Sequence, residues 1–516
     1  MKKGDRSKSE STVVVVDEIP EELDLENLGR KRPDVFSSTW TEAIFVGSML
    51  MCLSMADFFI GGFQVVLPGL MDPLDIPEAS RTWPSSVITL MAGAFLFPFG
   101  RLADMYGGYI VFHAGIVWAS ELLRSSPRGC RCLAALTGRA RKNLVFSLYG
   151  ALSPLGFFLG MIVGGVAQKA LTWGWYFWLG GIITMVCCVG SLLTAPRDYA
   201  EARKSGVKMD WWGLCTMVPG LILIIYAITD SRQAKLGWAA PQIIVCLVLG
   251  IFFLAAFVYV EGWKASSPLI PPEIFQVKSM KRMLATLFLI WGVYSIYLFY
   301  ANFYIISILK KDSMTAAIWF APWAVGGLFL AVSSGLLLHI LPGRLLLIIS
   351  GTCKIAAVLF FALMPDNPNY WAWVFPAMLA EAACVDVLWT VGNVFLTTSL
   401  PRHRQGIAGA LIYITIFLGS AFFLSISSVI QGKFKNMGMD TKSQYKGMFW
   451  IGVGLGGVAL IMCFFLDLGK AGSHETVEEK TAESDQSSSD SETETAAPQY
   501  LEEAKEATAE VRSINE

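Results

Sequence analysis

TEAIFVGSMLMCLSMADFFIGGFQVVLPGL, from Thr41 to Leu70, decides the fold class. A helix needs about 20 mostly apolar residues to cross the hydrocarbon of a bilayer. This stretch is longer than that, with Glu42 and Asp57 as its only ionisable groups. In hydrocarbon every backbone N–H and C=O has to be satisfied within the segment, so the run reads as a transmembrane helix. Working outward, comparable runs follow one another as far as Leu468, near 42–69, 84–103, 109–123, 144–168, 175–195, 211–229, 242–262, 283–307, 315–340, 345–364, 372–397, 405–431 and 447–467. The chain of 516 residues is 54% hydrophobic and 16% charged, with a mean hydropathy of +0.54. Together these values predict an all-α polytopic membrane protein.

Breaks in the apolar pattern divide the chain. Residues 1–40 read as a disordered cytosolic tail, 41–196 as an N-terminal helical bundle, 197–263 as two inserted helices, 264–468 as a C-terminal helical bundle, and 469–516 as an acidic, disordered cytosolic tail. The division rests on the Asp210 to Trp263 stretch and on the Pro-rich turn PLIPPEIF, Pro268 to Phe275. Val13 to Val16 is too short for the core of a signal peptide, so insertion is expected to start at the first span. Lysine and arginine then mark the cytosolic loops. The N-terminal tail, 197–210 (Arg197, Arg203, Lys204, Lys208), 264–282 (Lys264, Lys278, Lys281, Arg282) and Arg402 with Arg404 belong inside, whereas Lys433, Lys435, Lys442 and Lys446 run against the rule. The basic loops agree with one another only if one further span lies between residues 124 and 143. That interval, RSSPRGCRCLAALTGRARKN, has an apolar core too short to cross, so the N-terminal bundle reads as incomplete there.

An ionisable side chain within a span costs several kcal/mol and defaults to a functional reading. Asp57 lies past the middle of the first span, ahead of Gly61, Gly62 and Pro68. It reads as a carboxylate that takes up and releases a proton, against the alternative of a fixed acceptor at a helix contact. Lys354 and Glu381 lie at similar depth on either side of the 365–371 hairpin and are expected to pair. Asp386 stands five residues beyond Glu381, about 140° round the helix. One carboxylate of the two is therefore expected at Lys354 and the other toward a central cavity. Asp57, Asp386 and Glu381 are the proton-coupling candidates, with Lys354 as charge partner.

Three motifs add to this. GRLADMYGG, Gly100 to Gly108, sits where the second span ends; Gly100 permits close helix contact, Asp104 can cap, and Gly107 with Gly108 makes the turn. Gly156, Gly160, Gly164 and Gly165 give small-xxx-small spacing, which reads as a packing face rather than a ligand site. Trp173, Trp175, Tyr176, Phe177 and Trp178 read as an aromatic girdle at a membrane boundary. Most cysteines lie in apolar runs and no disulfide is assigned; Cys130-Arg-Cys132 is a weak metal signal, and no metal or cofactor is expected. The four histidines are scattered, and His113 reads as a packed neutral residue.

Taken in order, these motifs resemble the major facilitator superfamily over about residues 41–467, and within it the fungal fourteen-helix drug:proton antiporter branch. GRLADMYGG is similar to the superfamily's loop motif, with Tyr109 where a basic residue is usual. SPLGFFLGMIVGG, Ser153 to Gly165, is similar to the antiporter motif of helix five, with Met161 in place of the usual proline. TWGWYFW (Thr172 to Trp178), PLIPPEIF and SLPRHRQGIAGAL (Ser399 to Leu411) resemble the same branch. The resemblance implies a major facilitator fold of two helical bundles plus two inserted helices. It implies export driven by proton entry, proton coupling at Asp57 and Asp386, and a cytosolic gate containing Gly100, Arg101, Asp104 and Gly107. Helix four and its arginine are expected where 124–143 stands, so that helix reads as missing or degenerate, through a truncated or mis-spliced gene or a decayed copy.

The functional expectation is a secondary active transporter, a proton-coupled exporter of small amphipathic organic compounds such as a drug, toxin or secondary metabolite. The alternatives are a nutrient importer of the same fold, or a transport-inactive sensor or degenerate copy. The expected partners are a small-molecule substrate, protons and the lipid bilayer, with no nucleic acid, in a monomer. The plasma membrane is expected, with the vacuolar membrane second. No Walker loop is present, so ATP is not expected to drive transport through this chain, and no enzymatic activity is expected.

Overall fold

The computed structural model describes residues 38–71, 73–118, 139–195, 208–265, 267–400 and 405–468. Both tails and most of the 124–143 interval, including Cys130 and Cys132, lie outside the described residues, so the reading of helix four as missing falls there too. Every described regular element is helical: α1 Thr39–Leu70, α2 Trp83–Tyr106, α3 Gly108–Trp118, α4 Arg139–Ala170, α5 Gly174–Thr194, α6 Trp211–Asp230, α7 Pro241–Tyr259, α8 Met280–Phe303, α9 Ser313–Trp319, α10 Ala321–Ile340, α11 Gly343–Leu363, α12 Phe375–Thr398, α13 Gln405–Asn436 and α14 Thr441–Phe464, with short 3₁₀ and π segments at several ends. Twelve spans among the described residues are long and apolar enough to cross a membrane. The run read at 109–123 is not one of them, because it is described only as far as Trp118, the end of the 11-residue α3.

The helix ends follow local chemistry. Ser38 caps α1 by accepting from the Trp40 N–H, and Asp210 caps α6 by accepting from the Gly213 N–H, each satisfying an otherwise orphaned donor. Helix α2 stops at Gly107, whose φ of 101° an L side chain rarely adopts.

Packing groups the helices into two sets. On one side α1 lies along α4 and α5; on the other, α8, α11, α12, α13 and α14 pack on one another, with α10 against α12. The two sets meet along α2 against α13 and along α4 against α9 and α10, while α6 and α7 pair and α6 leans on both α2 and α13. Between apolar helices in lipid the driving force is close packing, which small residues permit. Along α4, Gly156, Gly160 and Gly164 face α1 so closely that an added Cβ would lie 2.4 Å from Ser54 O, 2.0 Å from Phe58 O and 2.9 Å from Gly62 O. Gly165 turns away from α1 and meets Met314 in α9.

One girdle residue behaves differently from its neighbours. Trp178 is exposed, but Tyr176 is fully buried, stacked on Phe58, and its hydroxyl donates to Phe58 O at 3.0 Å and Phe59 O at 2.9 Å. A buried phenol needs acceptors, and α1 supplies them, so Tyr176 locks α5 to α1 rather than anchoring an interface.

Candidate functional site: a central cavity between the two helix sets

A cavity of about 140 Å³ opens where the two helix sets face each other, far more than the ~15 Å³ that one water needs. Its wall draws on both sides: Leu53, Asp57 and Ile60 from α1, Thr89 from α2, Ser153 and Phe157 from α4, Trp291 and Tyr294 from α8, Trp323 from α10, Asp386 and Trp389 from α12, and Tyr413, Phe417 and Ser420 from α13. Seven of the wall's residues are aromatic, with tilted ring pairs such as Trp323 to Phe157 at 5.2 Å and Trp389 to Tyr413 at 5.0 Å. Such a surface accepts flat apolar bodies without specifying one.

Two carboxylates stand in that wall. Asp57 Oδ2 accepts from the Ser153 hydroxyl at 2.6 Å. The glycine contacts along α4 bring that serine to α1, so packing face and carboxylate form one local arrangement. Asp386 sits where three helices converge: the position a Cβ on Gly327 of α10 would take is 3.0 Å from Asp386 Oδ2 and 3.1 Å from the Pro154 Cβ of α4. One wall carboxylate thus comes from each helix set, and the one from α12 abuts the other set.

Glu381, five residues earlier on α12, does not reach the cavity. It is fully buried and ion-paired through Oε1 with the equally buried Lys354 Nζ of α11. Among the described residues its Oε2 has no hydrogen-bond partner. Lys354 Nζ also lies 5.4 Å from the ring centre of Tyr294, a residue of the cavity wall. The pair therefore backs the wall from outside, at one aromatic ring's remove.

The residues of the loop motif lie elsewhere. Gly100 and Gly107 are buried and Asp104 half-buried at the end of α2, and Arg101 donates through Nη2 to Pro268 O at 2.5 Å, bridging to the Pro-rich turn. On the face opposite the start of α1, beyond the cavity, the two sets are closed over an apolar cluster containing Val65, Met161, Ala301 and Ala316. Asn302 Nδ2 donates to Gln64 O at 2.6 Å there. Lys169 pairs with Asp312 at 3.2 Å, Lys435 with Glu78, and Ser313 donates to Gln168.

Sequence reasoning singled out Asp57 and Asp386 but missed Ser153 as a partner, although it stands inside the quoted helix-five motif. It also missed Trp291, Tyr294, Trp323, Trp389 and Tyr413. Aromatic residues are common throughout the spans, so only coordinates separate those that face the cavity from those that face lipid.

A solvent-sized cavity between two helix sets, lined by membrane-embedded carboxylates and closed on one face, defines a polytopic membrane transporter. The Major Facilitator Superfamily profile matches residues 126–424, more than half of the sequence, and the chain belongs to that family. Efflux pump terJ of Aspergillus terreus is 26% identical over 476 residues, 86% of this chain and 90% of that protein. The low affinity ammonium transporter of Saccharomyces cerevisiae is 25% identical over 479 residues, 86% of this chain and 91% of that protein. A crystal structure of the peptide transporter POT in complex with sulfate covers 86% of this chain and 97% of its own, with a TM-score of 0.57 at 14% identity, a likeness of fold alone.

Proposed function

We propose that the chain is a proton-coupled exporter of small amphipathic organic compounds, of the fourteen-helix drug:proton antiporter type, with Asp57 and Asp386 carrying the coupled protons. The observation that carries the reading is the presence of one carboxylate from each helix set in the wall of a single aromatic cavity. A proton arriving on either neutralises the site from which an amphipathic substrate departs, and the cost of keeping such groups in the membrane favours a working role. In this reading Glu381 with Lys354 holds α12 to α11 and cycles no proton. Gly100, Arg101, Asp104 and Gly107 form a gate on the cytosolic face, and the closed opposite face is the external one. Similarity to an efflux pump favours export, and the plasma membrane is the natural site for it.

Export is tested in cells or proteoliposomes by following a panel of amphipathic compounds with an imposed proton gradient. Gradient-dependent efflux that collapses in Asp57→Asn is the expected result, and efflux indifferent to the gradient would refute the coupling. A second reading, uptake of a small nutrient, has the ammonium transporter similarity in its favour; accumulation in place of depletion in the same assay selects it. A transcript reading through codons 120–145 as printed excludes mis-splicing, and restoring a full helix over 124–143 should then raise transport if that segment is a decayed one.

A further inference from the structure

Away from the cavity, the ends of the two inserted helices bring a second pair of acids together. Asp210 caps α6, and its Oδ1 accepts from the Gly213 N–H at 2.9 Å. Glu261 lies in the π-turn that follows α7, Val260–Lys264. Each residue is only 8% exposed. The position a Cβ on Gly213 would occupy is 2.4 Å from Asp210 Oδ2 and 2.8 Å from Glu261 Oε1, so only glycine lets the two carboxyl groups approach. Glu261 spends both oxygens on the chain leading into the C-terminal helix set: Oε1 accepts from the Leu269 N–H and Oε2 from the Ile270 N–H, each at 3.1 Å. Asp210 Oδ2, by contrast, is buried without any hydrogen-bond partner among the described residues. Among the described residues, Asp210 and Arg101 are charged groups that face Glu261, and the hydrogen bond of Arg101 goes to Pro268 O; Lys264, on the same turn, lies over the Trp212 ring at 5.8 Å.

Two ionised carboxylates this close in a poorly solvated place repel strongly, and an orphaned buried acceptor is costly. One proton removes both penalties: it cancels one charge and turns one oxygen into a donor aimed at the other acid. We infer that Asp210 and Glu261 form a proton-binding site separate from the central cavity, holding one proton between them and thereby keeping the 268–270 turn clamped between Glu261 and Arg101. Loss of that proton sets two negative charges side by side and loosens the grip on the Leu269 and Ile270 amides. The inserted helices then carry a sensor of proton activity on their own face of the membrane, attached to the segment that leads into the second helix set.

The test uses the full chain in lipid nanodiscs, with two readouts that need no transport. Infrared spectroscopy across neutral pH follows the protonated carboxyl stretch, and hydrogen exchange follows the amides of 267–275. The wild type should show a protonated carboxyl that titrates, lost in both Glu261→Gln and Asp210→Asn and retained in Asp386→Asn. It should also resist replacement of sodium by potassium. Exchange at Leu269 and Ile270 should rise roughly tenfold on deprotonation, the worth of a charge-assisted hydrogen bond. A band unchanged in either acid variant, or amide exchange in the wild type that follows intrinsic pH dependence alone, overturns the proposal. Fast exchange in Glu261→Gln with no titrating carboxyl in the wild type leaves Glu261 a purely structural clamp and equally refutes it. Loss of the band in Asp386→Asn alone would assign the proton to the cavity and contradict this site, leaving the cavity reading intact.

Discussion

Glu381 and Asp386 stand on one helix, five residues apart, and the structure gives them opposite surroundings. Glu381 is enclosed in protein against Lys354, whereas Asp386 opens on a cavity that also contains Asp57. The amino acids are nearly the same; the helical phase differs by about 140°. A buried charge fixed to a buried countercharge is a structural joint, since removing either partner strands the other. A carboxylate in a cavity wall, if no buried countercharge is fixed to it, can change its protonation without stranding a partner. The contrast separates an acid paired inside the protein, Glu381, from the two acids of the cavity wall, to which the proposed function assigns the coupled protons.

Replacement of one member of the joint should have the largest effect. Glu381→Leu or Lys354→Met alone should lower the resistance of the purified protein to thermal unfolding by about 3–5 kcal/mol, while the double replacement recovers most of the loss. Equal losses in the single and double variants would mean that the pair does not act as a unit. Next, Tyr176→Phe deletes the hydroxyl bonded to Phe58 O and Phe59 O and should cost about 1 kcal/mol, with no change in the cavity. The smallest effect belongs to the exposed Lys169 and Asp312 contact. The Thr315 hydroxyl first, and Lys169 second, hold the Asp312 carboxyl below its ordinary range. Its contribution is therefore present above the usual carboxylate value and fades as pH falls through the lowered one. Hydrogen exchange over Ser313–Trp319 should quicken in that acid range and in high salt, and Asp312→Asn should show the quickened rate already at neutral pH.

Much of this was legible in the chain itself. Apolar length alone marks the spans, because hydrocarbon leaves the backbone no other solution, and a 3.6-residue period suffices to send Glu381 and Asp386 different ways. Membership of the superfamily was legible from the order of short motifs. What the sequence hid are contacts between distant segments: Ser153 reaching Asp57 across nearly a hundred residues, and Tyr176 turning inward from an otherwise exposed aromatic cluster to bond α1. Each depends on which face of one helix meets which face of another, and in a membrane protein apolar residues cover both faces. Periodicity therefore loses the contrast that marks the core of a soluble helix.

The measurement closest to the central claim compares two transport modes in proteoliposomes for Asp386→Asn, Asp57→Asn and the Lys354→Met/Glu381→Leu double variant. If the cavity acids carry the coupled protons, each Asn variant loses gradient-driven efflux by about tenfold or more, the equivalent of ~1.4 kcal/mol, yet still exchanges labelled for unlabelled substrate without a gradient. The double variant should keep both modes. Driven transport that survives in Asp57→Asn and Asp386→Asn but disappears with the Lys354 and Glu381 pair would contradict the account.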